Sequence, residues 1–188
     1  MLQVLGVQVG AVQPLQVGEQ RVMSGFRKQA ARGPVAVGAL GLAGDEQADL
    51  TVHGGLAKAV YAYPVEHYEF LREHRRALGL STDLPYGSLG ENLTLSGVLE
   101  TSLYVGDDFR LPDCVLRVTQ PRAPCYKLNA AMGDPTAVRA LARSGHCGFY
   151  LTVEVPGSVT AGQAFEVIAG PREMPLITLI KSVRSRHG

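Results

Sequence analysis

The chain is poor in cysteine: it holds three, Cys114, Cys125 and Cys147, an odd number at irregular spacing. That pattern excludes a disulfide framework and a Cys-x-x-Cys zinc pair, and makes a reducing, cytoplasmic setting the expectation. It also lacks any apolar run near the ~18 residues that a membrane span needs. The opening Met1-Leu2-Gln3-Val4-Leu5-Gly6-Val7-Gln8-Val9 has no basic leader and alternates in polarity, so neither a signal peptide nor contact with a membrane is expected. Charge of one sign is lacking too, since 18 Lys and Arg against 17 Asp and Glu leave +1. The basic residues are scattered, which excludes the electrostatic footprint of a nucleic-acid duplex binder, and the basic end, Lys181 to Gly188, reads as a solvated terminus. Absent as well are G-x-G-x-x-G, the P-loop, H-E-x-x-H and G-x-S-x-G, and with them the signatures of dinucleotide, nucleoside-triphosphate, zinc-protease and serine-hydrolase chemistry.

What the chain does have is core material and turns. Its 188 residues are 46% hydrophobic, enough for a core without covalent staples. Period-2 runs recur at Leu2 to Val9, Ser102 to Val105, Phe109 to Leu111, Val115 to Thr119, Phe149 to Val155 and Phe165 to Ile168. Turn chemistry separates them at Gly106-Asp107-Asp108, Leu111-Pro112-Asp113 and Val155-Pro156-Gly157. Many short strands without alternating long helices predict a mainly β (α+β) chain, a barrel or a sandwich. The segments from Leu103 to Leu111 and from Val159 to Val167 share one pattern of apolar, Gly, Phe and apolar positions, as one strand-turn-strand solution used twice.

Two helices are predicted. The first begins around Pro64, carries Val65, Tyr68, Leu71, Arg75 and Leu78 at helical spacing, and stops at Gly79. The second has Asp134 as N-cap and Pro135 at the first position, buries Ala137, Val138, Leu141 and Ala142, and ends at Gly145. His67, Arg72, His74, Arg75 and Arg76 are expected on the solvated side of the first helix. Residues 18 to 60 show no clean period, and their glycines predict loops, where binding residues tend to lie.

The chemistry concentrates in Gln120-Pro121-Arg122-Ala123-Pro124-Cys125-Tyr126-Lys127-Leu128. The prolines stiffen the backbone around Cys125, and the neighbouring Arg122 and Lys127 favour a thiolate able to attack electrophiles or bind a soft metal. A buried, inert thiol is the competing reading, and it is the one that fits Cys114 and Cys147. A second cluster, Gly44-Asp45-Glu46-Gln47-Ala48-Asp49-Leu50-Thr51-Val52-His53-Gly54-Gly55, offers a close-approach diglycine with Lys58 following to meet an anion. A zinc site at Asp49 and His53 would require a helix that Thr51, Val52 and the glycines disfavour. A tight turn with hydrogen-bonding aspartates explains the same residues. The third cluster, Gly90-Glu91-Asn92-Leu93-Thr94, sets a carboxylate beside an amide.

Together these clusters and Val105-Gly106-Asp107 resemble, in order and spacing, the MOSC family, the molybdenum cofactor sulfurase C-terminal domains, and within it the stand-alone bacterial, YiiM-like branch. Pro-Arg-x-Pro-Cys-x-Lys is the specific motif. The resemblance implies a MOSC-type β-barrel with a few peripheral helices over residues 1 to 170, and a short C-terminal tail over 171 to 188 with one short helix at Leu176 to Val183. Longer members of that branch carry a helical extension there. It further implies a molybdopterin-type cofactor with Cys125 as molybdenum ligand and catalytic centre. Lys58, Arg122 and Lys127 would meet the cofactor's anionic parts, and Asp49, His53, Glu91 and Asn92 would line the pocket or hold its loops.

The activity implied is reduction of N-hydroxylated bases or related N-oxygenated compounds, a detoxifying oxidoreductase acting on a small molecule. Its partner would be an electron-donating flavin or iron-sulfur reductase. Two rival readings are a sulfurtransferase carrying a Cys125 persulfide from a cysteine desulfurase, and a non-catalytic cofactor-binding module.

Overall fold

In the computed structural model, which describes residues 1–48 and 54–187, the strands run β1 (Gln3–Val9), β2 (Gln13–Val17), β3 (Gln20–Ser24), β4 (Gln29–Ala30), β5 (Val35–Gly38), β6 (Gly41–Leu42) and β7 (Val60–Pro64). Helix α1 (Tyr68–Ala77) follows, then β8 (Leu93–Ser96), β9 (Asp108–Arg110) and β10 (Val115–Pro121). The chain ends with α2 (Tyr126–Met132), α3 (Ala137–Ser144), β11 (Phe149–Val155), β12 (Gly157–Val159), β13 (Glu166–Ile168) and α4 (Leu176–His187). One 8-stranded sheet, ordered β13-β9-β10-β11-β7-β8-β1-β4, dominates, with a 3-stranded sheet β12-β5-β6 and the β2-β3 hairpin beside it. Its pairs are antiparallel except β7 with β8, which are joined through α1.

The mainly β expectation holds, with a correction to the closed barrel. No closed barrel forms among the described residues. β4 covers Gln8 and Val9 alone, so the Gln3 end of β1 keeps a free edge. The segment before β13 takes that edge, through Val4 N–H to Gln163 (2.9 Å), Gly162 N–H to Val4 (2.7 Å) and the bridge Gln3 to Ala164. The sheet therefore curls until its two ends are tied by a few bonds in place of a full ladder. The repeated strand-turn-strand pattern ends in two neighbouring strands, since β13 pairs with β9, and Phe109 and Phe165 stack at 5.0 Å.

Alternation in β7 divides the interior. Val60 and Ala62 face a core with Val4, Leu93, Phe109, Leu116, Phe149 and Leu151, while Tyr61 and Tyr63 face a second core with Tyr68, Leu71, Leu128 and Leu141. Both faces of β7 are buried, so its sequence lacks the polar alternation that marks a strand. The predicted strand at Ser102 to Val105 is absent. Glu100–Ser102 is a 3-10 turn, and the Asp107 carboxylate takes the Tyr104 N–H (2.9 Å), holding the chain in a turn.

Helix α1 buries Tyr68, Leu71 and Arg75, and the chain leaves it through Gly79. Two side chains correct the solvated-face expectation: His67, just before α1, and Arg75 within it are buried. His67 Nε2 lies 2.7 Å from a Glu100 oxygen, and the Arg75 guanidinium donates to the carbonyls of Ser81 and Met132. Helix α3 starts two residues after Pro135, because Asp134 Oδ1 first accepts the Thr136 N–H and hydroxyl (2.8 Å each) in a preceding turn. Helix α4 seats Leu176 and Ile180 one turn apart, both fully buried. Among the described residues no helix is long and apolar enough to cross a membrane. Ile180→Ala should cost about 2–5 kcal/mol in a urea titration, and Lys181→Ala within about 0.5 kcal/mol, if α4 melts cooperatively with the sheet.

Candidate functional site

Strand β10 carries the cysteine segment to its place. Pro121 is still paired with Phe149 of β11, and the Arg122 N–H reaches the Gly148 carbonyl at 3.1 Å before the chain leaves the sheet. Cys125 is extended (φ −121°, ψ 166°) at the head of α2, which the prolines had hidden from a sequence reading. Leu128 and Met132 at helical spacing, with left-handed Gly133 after them, were the signal for that helix. The half-buried Cys125 lines a cleft of about 620 Å³, solvent at its mouth included.

The cleft gathers cations. Arg122, Lys58, Lys127 and Lys28 all line it, from three distant stretches of sequence. Arg122 is 6% exposed, and its guanidinium lies 5.3 Å from the Phe26 ring and 4.7 Å from the Tyr61 ring, both inside cation–π range. It also hydrogen-bonds Tyr150, and among the described residues no carboxylate pairs with it. Burial acts to lower its pKa, but Tyr61, Tyr150 and Cys125 outweigh burial and hold it above the ordinary range, so the charge stays. Burial in turn pushes the Tyr61 and Tyr150 phenols up.

Lys28 is held by Asp45, which also accepts the Gly10 N–H at 2.9 Å; burial lowers the Lys28 pKa, with Asp45 working against the fall. Lys58 lies over the Tyr150 ring at 6.0 Å, and Lys127 Nζ donates to the Met23 carbonyl at 3.1 Å.

Glu91 and Asn92 sit behind this wall. Glu91 is fully buried and its carboxylate accepts from Gly87 N–H (2.7 Å), Leu89 N–H (3.0 Å), Thr94 hydroxyl (3.1 Å) and the Tyr68 hydroxyl. Burial raises its pKa, and the Tyr68, Gly87 and Thr94 donors work against the rise. It staples the loop 85–90. That loop needs glycine at Gly90 (φ +79°), where a Cβ would press on the Phe26 ring at 3.3 Å. Asn92 lines the cleft and ties three strands, its Oδ1 accepting from Tyr61 N–H (3.0 Å) and its Nδ2 donating to the Gln8 carbonyl (3.3 Å).

Asp49 and His53 lie outside the described residues. Among the described residues no three His, Cys, Asp or Glu side chains converge for a metal ion. The soft donor in the cleft is Cys125, since Cys114 and Cys147 are buried elsewhere. Sequence reasoning passed over Lys28, Phe26, Tyr61 and Tyr150. The first two fall in the stretch without a period, Tyr61 lies in a strand with no polar alternation to mark it, and Tyr150 falls in a run read as strand.

The profile of the MOSC domain family matches residues 49–166. The chain belongs to the MOSC domain family. Its YiiM-like character follows from its relatives. It is 38% identical over 166 residues to uncharacterized protein YflK of Bacillus subtilis, covering 88% of this chain and 73% of that one. It is 38% identical over 131 residues to protein YiiM of Escherichia coli, covering 69% of this chain and 57% of that one. A protein named reductase from Gibberella moniliformis is 30% identical over 97% of this chain, which spans 32% of that protein's length. Among solved structures, YiiM from Geobacillus stearothermophilus superposes with a TM-score of 0.77 at 26% identity, covering 100% of this chain and 87% of that one. MOSC domains are associated with molybdenum cofactor binding.

Two outcomes follow from the geometry. Glu91→Ala orphans two backbone N–H groups and two hydroxyls and should lower unfolding stability by about 3 kcal/mol or more, with Glu91→Gln losing less, measured by chemical denaturation. Native protein treated with iodoacetamide at neutral pH should be alkylated at Cys125 alone by peptide mass mapping. Cys147 is enclosed, and Cys114 is enclosed with its thiol pushed up to about 11 by burial and the adjacent Asp113.

Proposed function

We propose that the cleft binds a molybdopterin-type cofactor with the Cys125 thiolate as molybdenum ligand, and that the protein reduces N-hydroxylated bases or related N-oxygenated compounds. The observation that carries this reading is a buried guanidinium with no carboxylate partner among the described residues, in the same cleft as a half-buried thiol. A buried cation without a counter-charge is costly, so the cleft is built for an anion that brings one. A thiolate is the soft donor that such a metal takes. The donor set therefore fits the group that the family is associated with.

When bound, the cofactor supplies the two-electron step, in which R–NH–OH, two electrons and two protons give R–NH2 and water. The N–O bond breaks, an N–H bond forms, and a flavin or iron-sulfur reductase provides the electrons. The chain's own part is placement and charge. Arg122, Lys58 and Lys127 balance the anionic cofactor, with the rings of Phe26 and Tyr61 fixing the direction of the Arg122 fork. Asn92 and Glu91 hold the strands and loop behind it. Lys28 Nζ, kept in the cleft by Asp45 and with its pKa lowered by burial, serves as the proton donor.

Protein produced in cells that make the cofactor should hold near-stoichiometric molybdenum by elemental mass spectrometry. Cys125→Ser should lose the metal and the reduction of an N-hydroxylated base together. A serine variant with full metal and activity sinks the ligation. Metal-free wild type, under conditions that load a known molybdoenzyme, moves the function to sulfur transfer through a Cys125 persulfide.

A further inference from the structure

A second cleft, of about 800 Å³ with the solvent at its mouth included, lies next to the first and shares a wall with it, because Phe26 and Lys28 line both. Its other walls carry Arg27, the amides of Gln13 and Gln29, and Tyr86 of the loop 85–90. That loop serves both clefts: Gly90 lines the first, Tyr86 lines the second, and the loop is held firmly. The fully buried Glu91 takes two of its N–H groups, and Gly90 N–H closes back on the Gly87 carbonyl at 2.9 Å. Tyr86 is fixed edge-on against Tyr68, with ring centroids 5.7 Å apart, while 39% of the residue stays exposed. A rigid aromatic with an open face is a stacking platform, worth about 1–3 kcal/mol to a base laid on it.

The remaining chemistry of the cleft is equally directional. Gln13 and Gln29 each bring a donor and an acceptor able to read the edge of a heterocycle. Arg27 is exposed and, among the described residues, has no ion-pair partner. Its planar fork suits a phosphate. The net charge of +1 gives the protein no general attraction for anions, so the affinity here is local.

We infer that the second cleft is the substrate subsite, and that it takes the N-hydroxylated base as a nucleoside 5′-monophosphate, with the ring on Tyr86, the phosphate on Arg27 and the N–O end toward Lys28. This rests on the reductase reading of the first cleft and deepens it by naming the form of the substrate. Phe26 and Lys28 line both clefts, so a ring read in the second brings its reacting nitrogen to a residue of the first.

The test uses adenosine 5′-monophosphate and adenosine, which lack the N–O bond and cannot turn over, titrated calorimetrically into cofactor-loaded protein. Wild type should bind the monophosphate more tightly than the nucleoside. Arg27→Ala should weaken the monophosphate by about tenfold, as loss of a charge-assisted fork does, and leave adenosine unchanged. Tyr86→Leu should weaken both, and neither change should alter molybdenum content or the melting transition, since both side chains are exposed. Equal binding of the two probes, binding of neither, or an Arg27→Ala protein with unchanged monophosphate affinity overturns the subsite. The two readings fail separately. A metal-free wild type sinks the reductase reading, whereas intact metal and intact reduction of a free N-hydroxylated base without monophosphate binding sinks the second cleft alone.

Discussion

The site is organised around the burial of one guanidinium. Arg122 leaves the last bonded position of β10 and enters between Phe26 and Tyr61, which joins the cysteine segment to a loop near the N-terminus and to the doubly buried strand β7. Each ring contact is worth about 0.5–2 kcal/mol, depending on desolvation, and neither neutralises the charge. Phe26 can lie where it does because Gly90 has no Cβ, and Gly90 holds its left-handed turn because Glu91 fixes the loop on either side of it. Moving any of these groups moves the cation, and with it the electrostatics felt beside Cys125.

A second constraint runs through the carboxylates. Glu91 and Asp45 lie close to the clefts and are spent on protein groups, Glu91 on loop N–H groups and hydroxyls, Asp45 on Lys28 and Gly10. Glu100 does the same further off, with His67 and the Gly148 N–H as its partners. Acidic residues here act as rivets for loops, and Arg122 is left in the cleft with no carboxylate partner among the described residues. That division suits an anionic cofactor, and it makes the wall between the two clefts stiff enough to orient a second molecule against it.

Much of the fold was legible in the sequence. β1 and β10 begin by alternating between core and half-exposed positions, and α1 and α3 have clear apolar faces bounded by Pro, Asp and Gly. Cys125, Lys58, Arg122, Lys127 and Asn92, singled out from motif chemistry, line one cleft. β7 was hidden because burial on both faces erases alternation, and α2 because a helix that begins right after Pro124-Cys125 carries its start signal inside a motif read as loop. Ser102 to Val105 looked like a strand, but the Asp107 carboxylate takes the Tyr104 N–H and the segment makes only an isolated bridge, from Tyr104 to Pro175.

By itself the sequence determined the things that depend on local pattern: strand-rich architecture, the helical faces, the stiff presentation of Cys125, and a family membership carried by three short motifs. The tertiary structure decided what depends on residues far apart in the chain. Lys28 and Lys127 come from opposite halves of the sequence and meet on one cleft wall. The curled sheet is tied by 162–165 where β4 is too short to cover β1. Burial assigns the roles, since a motif can supply a glutamate or an arginine, but enclosure turns Glu91 into a staple and leaves Arg122 a cation waiting for an anion.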